Sequence, residues 1–238
     1  MSELRVTTLK HESATVDNIT LDANGNVGIR GSSTGRFGAG VSIKGASPEV
    51  HLKRDDGNGE GGILLDNASS TQRLYVGTYN ANQETHIGTN GTQRIIVDSA
   101  GRVTMPYQPA FNAKRTGGDI ATTAVALFNV VLTNIGNHYS VSTGRFTAPV
   151  TGTYAFSVFC MGITYSNDVP VAVYFRRNGI DTGAYPYTRS QGAQYHGVAG
   201  SLIITLSTGD FVDIVNGGSC AIYGVGTGHN GFSGYLIG

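Results

Sequence analysis

Five carboxylates stand in the second half of the chain, Asp119, Asp168, Asp181, Asp210 and Asp213, and glutamate is absent there. A glycan-cleaving site needs a paired acid and base roughly 5–10 Å apart. These five do not offer one. Asp210 sits in Ser207-Thr-Gly-Asp210, a tight turn where a carboxylate bonds backbone amides. Asp213 alternates outward between Val212 and Ile214 and reads as solvated. No nucleophile, base and orienter come together, so the chain reads as no enzyme and calls for no cofactor. The six histidines, His11, His51, His86, His138, His196 and His229, lack zinc spacing. His86 could line a threefold axis, and His196 and His229 fall in polar loops. Gly226-Thr-Gly228-His-Asn-Gly231 has dinucleotide glycine spacing, but a strand follows where a helix is required. Gly57 to Gly62 lacks the Lys-Ser/Thr of a phosphate loop.

Binding chemistry is better represented. Ala184 to Gly197, AYPYTRSQGAQYHG, places Tyr185, Tyr187, Arg189, Gln191, Gln194, Tyr195 and His196 together. Aromatic faces beside amide and guanidinium donors stack on sugars and hydrogen-bond them at once. Tyr185 and Tyr187 suit a subunit interface equally well, because aromatics are enriched there. The candidate receptor-binding set is Tyr165, Asn167, Asp168, Gln191, Gln194, Tyr195, His196, His229 and Asn230. Asp168 is its one carboxylate, which argues against a strong calcium site.

The elements that must position these residues are strands. Phe128 to Phe156 reads as strand, turn, strand, turn, strand, with Phe128, Val130 and Leu132 alternating against Asn129, Val131 and Thr133. Tyr154, Phe156, Val158 and Cys160 share one face of a longer strand. Sixteen basic residues balance sixteen acidic ones, charged residues are 13% of the chain, and there are 35 glycines. That composition indicates an all-β protein and gives no general pull toward nucleic acid. No apolar run is long enough for membrane insertion, and no signal-type segment follows Met1. Synthesis in a cytoplasm is therefore expected. Cys160 and Cys220, each in an apolar strand, read as buried free thiols.

Residues 17–106 carry many small hairpins and few large apolar side chains. Asp22-Ala-Asn-Gly25-Asn-Val27-Gly-Ile29 recurs as Asp98-Ser-Ala-Gly101-Arg-Val103-Thr-Met105. Asn24-Gly25 reads as a two-residue hairpin turn. Other short strands are read in VSIKG, EVHLKRDDGNGEGGILLD, RLYVG and THIGT. Ordering each residue costs about 1–2 kcal/mol, more than so little apolar surface offsets in one chain. Neighbouring chains must then complete the core. The organisation expected is a segment 1–16, either an attachment segment or a disordered terminus, a trimeric β-hairpin shaft over 17–106, and a jelly-roll head over 107–238.

Phe128, Asn134, Gly136 and Tyr139, then Gly144-Arg-Phe146-Thr-Ala-Pro149 and Gly152-Thr-Tyr154-Ala-Phe156, followed by SLIITLSTGDFVDIV and FSGYLIG, resemble the globular head of complement component one-q. The resemblance implies a tumour-necrosis-factor-like jelly roll that assembles as a homotrimer. It does not by itself imply complement function. The hairpin motif ahead of it resembles tail-fibre and receptor-binding proteins of tailed bacteriophages. That resemblance implies a virion tail fibre or adhesin, held to the phage tail by its N-terminal segment and binding a host surface glycan or protein through its head. A purely structural fibre and a glycan-degrading tailspike are the alternatives. Strand parity sorts the head's loops. Thr164 to Pro170, Ser190 to Gly197 and Asn216 to Gly231 fall at the tip, while Arg177-Asn-Gly179 and Ser207 to Asp210 fall at the base.

Overall fold

The computed structural model describes residues 84–238 apart from 91, 193 and 227, together with the backbone of five earlier strands. The chain divides into two units, Met1–Lys53 and Arg54–Gly238.

In the first unit β1 (Thr8–Leu9), β2 (Ile19–Leu21) and β3 (Val27–Ile29) form an antiparallel sheet in chain order. Strand β1 falls inside the segment expected to be an attachment tether. A two-residue turn at Asn24-Gly25 would pair Leu21 with Gly28, but Leu21 pairs with Val27, so five residues intervene. The expected VSIKG strand and the start of EVHLKRDD lie outside the described residues.

In the second unit β4 (Gly61–Asp66), β5 (Arg73–Tyr79), β6 (Glu84–Thr89), β7 (Thr92–Val97) and β8 (Val103–Thr104) form a meander in chain order. Val97 pairs with Val103 across five residues, the same register as Leu21 with Val27. The cause is visible in this copy. Asp98 Oδ1 accepts the amides of Ala100 and Arg102, both at 2.9 Å, and Gly101 has φ +80°. A carboxylate that takes up two amides, with glycine in the left-handed region, closes a longer turn than Asn-Gly alone. His86 on β6 is fully buried within the chain, with Nε2 3.1 Å from Glu84 Oε2, whereas Val76 and Ile87, paired across β5 and β6, are exposed.

The head is built from β9 (Ala110–Lys114), β10 (Val130–Ile135), β11 (Tyr139–Ser140), β12 (Arg145–Thr147), β13 (Gly152–Ile163), β14 (Pro170–Arg177), β15 (Ile180–Asp181), β16 (Tyr187–Arg189), β17 (Tyr195–Leu206), β18 (Phe211–Asn216), β19 (Ala221–Ile222) and β20 (Gly231–Leu236). One antiparallel sheet has the order β10-β9-β20-β13-β17, with β19 on β13; the other has the order β11-β12-β18-β14-β15, with β16 on β14. This is a jelly-roll sandwich, as expected.

Its core is aromatic. The Phe111 ring lies 4.8 Å from Tyr139, 5.1 Å from Phe146 and 4.9 Å from Phe232, and the expected inward row Tyr154, Phe156, Val158 and Cys160 is buried. Gly234 lets β20 cross this cluster, because a Cβ there would collide with the Phe156 ring. Tyr139 both donates to Phe128 O (3.1 Å) and accepts from Phe128 N (3.2 Å), and burial pushes its phenol up to about 12. Cys160 and Cys220 are buried free thiols; burial lifts the Cys160 thiol to about 12 and raises that of Cys220.

Two readings of the head strands are corrected. Leu132 does not share a face with Phe128. The β9–β10 register shifts between Val131 and Thr133, leaving Leu132 as a bulge residue that points to solvent. Asp213 is not solvated but fully buried, although it does face away from the core. Arg176, its direct cross-strand partner, bonds it at 2.9 Å, and Arg145 at 3.4 Å closes over it from β12. The Arg145 guanidinium also lies over the Phe211 ring at 4.0 Å.

Candidate recognition surface

Strand β13 leads from the end where Pro109 enters the head to the opposite end. At the entry end the connections are tight. Asp210 accepts from Ser207 N (2.7 Å), Asn178 Nδ2 (2.7 Å) and Arg177 Nη2 (2.6 Å). Asn178, then Ser207 and Arg177, hold its carboxyl below the usual range. The backbone-bonding turn role read from the sequence is the one found.

The long connections gather at the far end and bond one another. Thr164 N donates to Gln194 O at 3.0 Å and Asp168 N to Ser190 O at 2.8 Å. Ser190 is buried; its hydroxyl donates to Ser166 O (2.6 Å) and accepts from Val169 N (2.9 Å). A fourth segment, 115–129, also reaches this end, beyond the three expected tip loops. Arg115 shapes it by donating to Gly118 O and Leu127 O, and Ile120 pairs with Ile222. Asp119 Oδ1 accepts from Gly224 N at 2.8 Å.

Two buried amides complete the stitching. Asn216 Nδ2 donates to Ile120 O (3.1 Å) and Cys220 O (2.9 Å), while its Oδ1 accepts from Gly218 N (3.1 Å). Asn230 Oδ1 accepts from Met161 N (3.0 Å), and its Nδ2 donates to Tyr223 O (2.6 Å). Asn230 was a candidate contact residue. It is buried with its amide spent on the backbone, so it builds the tip without presenting a group to a ligand.

The other candidates separate into two groups. On the flank, Tyr165 is 76% exposed, and its hydroxyl accepts from Gln194 Nε2 at 2.6 Å. Asn167 and Asp168 on the same loop, and Gln191 on the next, are exposed. Asp168, at φ 59°, pairs with Arg189 Nη1 at 2.9 Å, and this carboxylate raises the Arg189 pKa. Tyr195 and His196 lie on β17, not in a loop, and neighbouring strand residues face opposite ways. Tyr195 pairs with Ile163 on the outer face of the sheet. His196 pairs with Gly162, whose side toward the sandwich interior meets Val171 and Cys220. The two therefore do not form one contact set. Tyr195 instead joins Tyr223 (ring centroids 5.0 Å), which meets exposed His229 at 5.5 Å. Partial desolvation and the Tyr223 hydroxyl raise the Tyr195 phenol pKa. Tyr185 packs edge-on against Tyr174 at 4.7 Å, and Tyr187 stays exposed, both on the flank where 184–189 crosses from β14 toward β17.

That outer sheet face is the second surface. Its cross-strand rows are Tyr235, Ala155 and Ile203, then Ser233, Ser157 and Ser201, then Gly231, Phe159 and Ala199. Phe159, Ile203 and Tyr235 are 47%, 68% and 54% exposed. Among the outward positions of β9, β13, β17 and β20, the one charged side chain is Lys114, beside Gly231. Among the described residues, no three His, Cys, Asp or Glu side chains gather closely enough to hold a metal ion.

The model of the C1q domain family matches residues 110–237. The Complement C1q tumor necrosis factor-related protein 3 of Homo sapiens and that of Mus musculus are each 32% identical over 111 residues, 47% of this chain and 44% of each relative. Caprin-2 of Danio rerio is 32% identical over 133 residues, 54% of this chain and 14% of the relative. The chain thus spans less than half the length of these relatives. Among solved structures, the globular domain of zebrafish complement 1qA protein is 20% identical with a TM-score of 0.45, covering 55% of this chain and 98% of that one. Eiger TNF from S. frugiperda is 10% identical with a TM-score of 0.44, covering 55% and 93%.

Proposed function

The chain belongs to the C1q domain family through residues 110–237, and from that premise we propose that it is a non-catalytic, homotrimeric fibre subunit whose head recognises a cell surface. The observation that carries this reading is the sorting of the head's connections. Tight turns lie where Pro109 enters, and all the long polar loops lie at the far end. A recognition module on a stalk needs that arrangement.

Trimerisation uses the outer face of the sheet that holds β9, β20, β13 and β17. Isolated apolar residues on a surface are ordinary, but a contiguous face with one charge fits a partner. In a cyclic trimer this face of one protomer meets the next along the strip that carries Tyr185 and Tyr187, below the Pro170–Arg189 pair, and leaves the Tyr165 loop above that pair open. The meander β4–β8 joins the assembly as a shaft, through the side on which Val76 and Ile87 are exposed. Three weak tip sites on one rigid head then bind with avidity. The finer reading is a bacteriophage tail fibre or adhesin in the virion, held by its N-terminal segment and turned toward a host glycan or protein. It is supported by the repeated Asp-x-x-Gly-x-Val hairpin ahead of the head, whose two copies share one register. The placement of four of the five head carboxylates supports the non-catalytic part. Asp168, Asp210 and Asp213 are ion-paired, and Asp119 is spent on a backbone amide.

A second reading, a cellular C1q-type binding protein, is favoured by the vertebrate names of the curated relatives. The test is sedimentation of the full chain, then competition by that chain against particle adsorption to cells. A trimer that blocks adsorption supports the fibre reading. A compact monomer at low concentration overturns the assembly, and a trimer without effect on adsorption overturns the recognition role.

A further inference from the structure

We propose that the ligand of the tip flank is an uncharged carbohydrate, laid against the Tyr165 ring and held without any ionic contact. This rests on the reading of the head as a recognition module and names the chemistry of its target.

The flank offers one large aromatic plane. Tyr165 is the most exposed aromatic side chain of the head, and the 2.6 Å bond from Gln194 Nε2 to its hydroxyl favours one orientation before any ligand arrives. An aromatic ring already biased to one orientation loses less entropy on binding. Asn167, two residues along the same loop, and Gln191, beside the Gly192 that Asn167 approaches, are exposed, and amides both donate to and accept from sugar hydroxyls.

The charges decide the ligand class. The two arginines of the tip are committed. Arg115 spends its guanidinium on Gly118 O and Leu127 O within its own loop. Arg189 donates from Nη1 to both the carbonyl and the carboxylate of Asp168. That exposed pair is weak by itself, because surface ion pairs contribute about 0–1 kcal/mol. An anionic group could therefore recruit Arg189 cheaply, yet it would still meet the Asp168 carboxylate at the same spot. The Asp168 backbone is fixed there by its amide bond to Ser190 O. The pair's net charge is zero, whereas recognition of carboxylated, sulfated or phosphated polymers requires cations free to face them. Lys114 stands apart, in the Gly231–Phe159 row of the outer sheet face, and His229 belongs with Tyr223 and Tyr195.

The experiment uses the full chain over immobilised mannan, dextran and galactan on one side and polysialic acid and heparin on the other. It is run at pH 8, above the ordinary imidazole range, in about 50 and about 500 mM NaCl. The expected result is retention on at least one neutral polymer that changes less than about twofold with salt. Tyr165→Ala, at an exposed position, should weaken that retention about tenfold, one aromatic contact's worth, with no change in melting temperature. Asp168→Asn should release Arg189 and create new, salt-sensitive retention on polysialic acid. Retention on the anionic polymers alone, falling with salt, overturns the proposal. So does neutral retention indifferent to Tyr165→Ala. A chain that binds intact cells but no polysaccharide overturns the carbohydrate class and leaves the recognition reading standing. A chain that binds neither overturns both.

Discussion

Replacing Asn230 by alanine separates a residue that builds the tip from one that touches a ligand. The change strands two part-buried backbone groups, the Met161 N–H and the Tyr223 C=O, now held at 3.0 and 2.6 Å. Each buried group left without a partner costs about 1–3 kcal/mol, so about 2–4 kcal/mol is expected after some relaxation. For a head of roughly 130 residues, where 1 kcal/mol moves the midpoint about 3–5 °C, melting should fall by about 6–20 °C. The chain has twelve tyrosines and no tryptophan, so near-ultraviolet dichroism reports tyrosine environments, Tyr223 among them. Protein concentration must be held constant, because an oligomer's melting depends on it. Asn230→Asp supplies a further check. It keeps the acceptor for Met161 N but sets a carboxylate oxygen against Tyr223 O, which raises the new group's pKa in the folded state. A raised acid is most stabilising below its unfolded pKa, so this variant's deficit should shrink as pH falls through the raised folded value toward about 4 and stay constant below that. A melting temperature within about 2 °C of the parent, together with lost ligand binding, would refute the structural role.

Charging the outer sheet face with Phe159→Asp and Ile203→Asp should reduce the sedimenting mass threefold while the tyrosine dichroism of the head persists; unchanged mass removes that face from the interface. Cys160 and Tyr139 both have folded pKa values near 12, above their unfolded ones. Their contribution is whole below about pH 8.5 and lost as pH rises toward 12, so the urea midpoint should fall over that range. Ellman's reagent should leave Cys160 untouched at pH 8 until unfolding, and prompt labelling of the native chain would contradict its burial. The Asp98 carboxyl is held below its usual range by the Arg102 amide and then the Arg102 guanidinium. A lowered acid loses its contribution as pH falls through the folded value. Asp98→Ala at neutral pH should therefore speed hydrogen exchange at Ala100 and Arg102, and acid on the parent should lower their protection relative to the intrinsic rate, which itself slows in acid; unaltered protection would discount the cap.

What could be read in advance followed from local rules. Tyr154, Phe156, Val158 and Cys160 are buried together because strand alternation is unbroken through β13. The sorting of long and short loops followed from strand parity alone. Three things were not legible. Leu132 is displaced by a bulge that only pairing with β9 reveals. Asp213 does face outward, as alternation indicates, but Arg145 and Arg176 come from other strands to cover it. Asn230 sits among polar loop residues, and its burial depends on Met161, 69 positions away. The split between Tyr195 and His196 follows from β17 beginning at Tyr195, inside the Ser190–Gly197 stretch expected as a loop. In each failure, distant parts of the chain supplied what a local pattern could not carry.

The division of labour at the tip has an evolutionary corollary. Ser190, Asn216 and Asn230 fasten the loops from inside, toward backbone atoms that every amino acid shares. The outward residues, Tyr165, Asn167, Gln191 and His229, lie on that frame. Target preference can then drift by substitution at the rim while the fastened interior stays as it is. A library randomised at those four positions would keep its architecture and change what it adheres to.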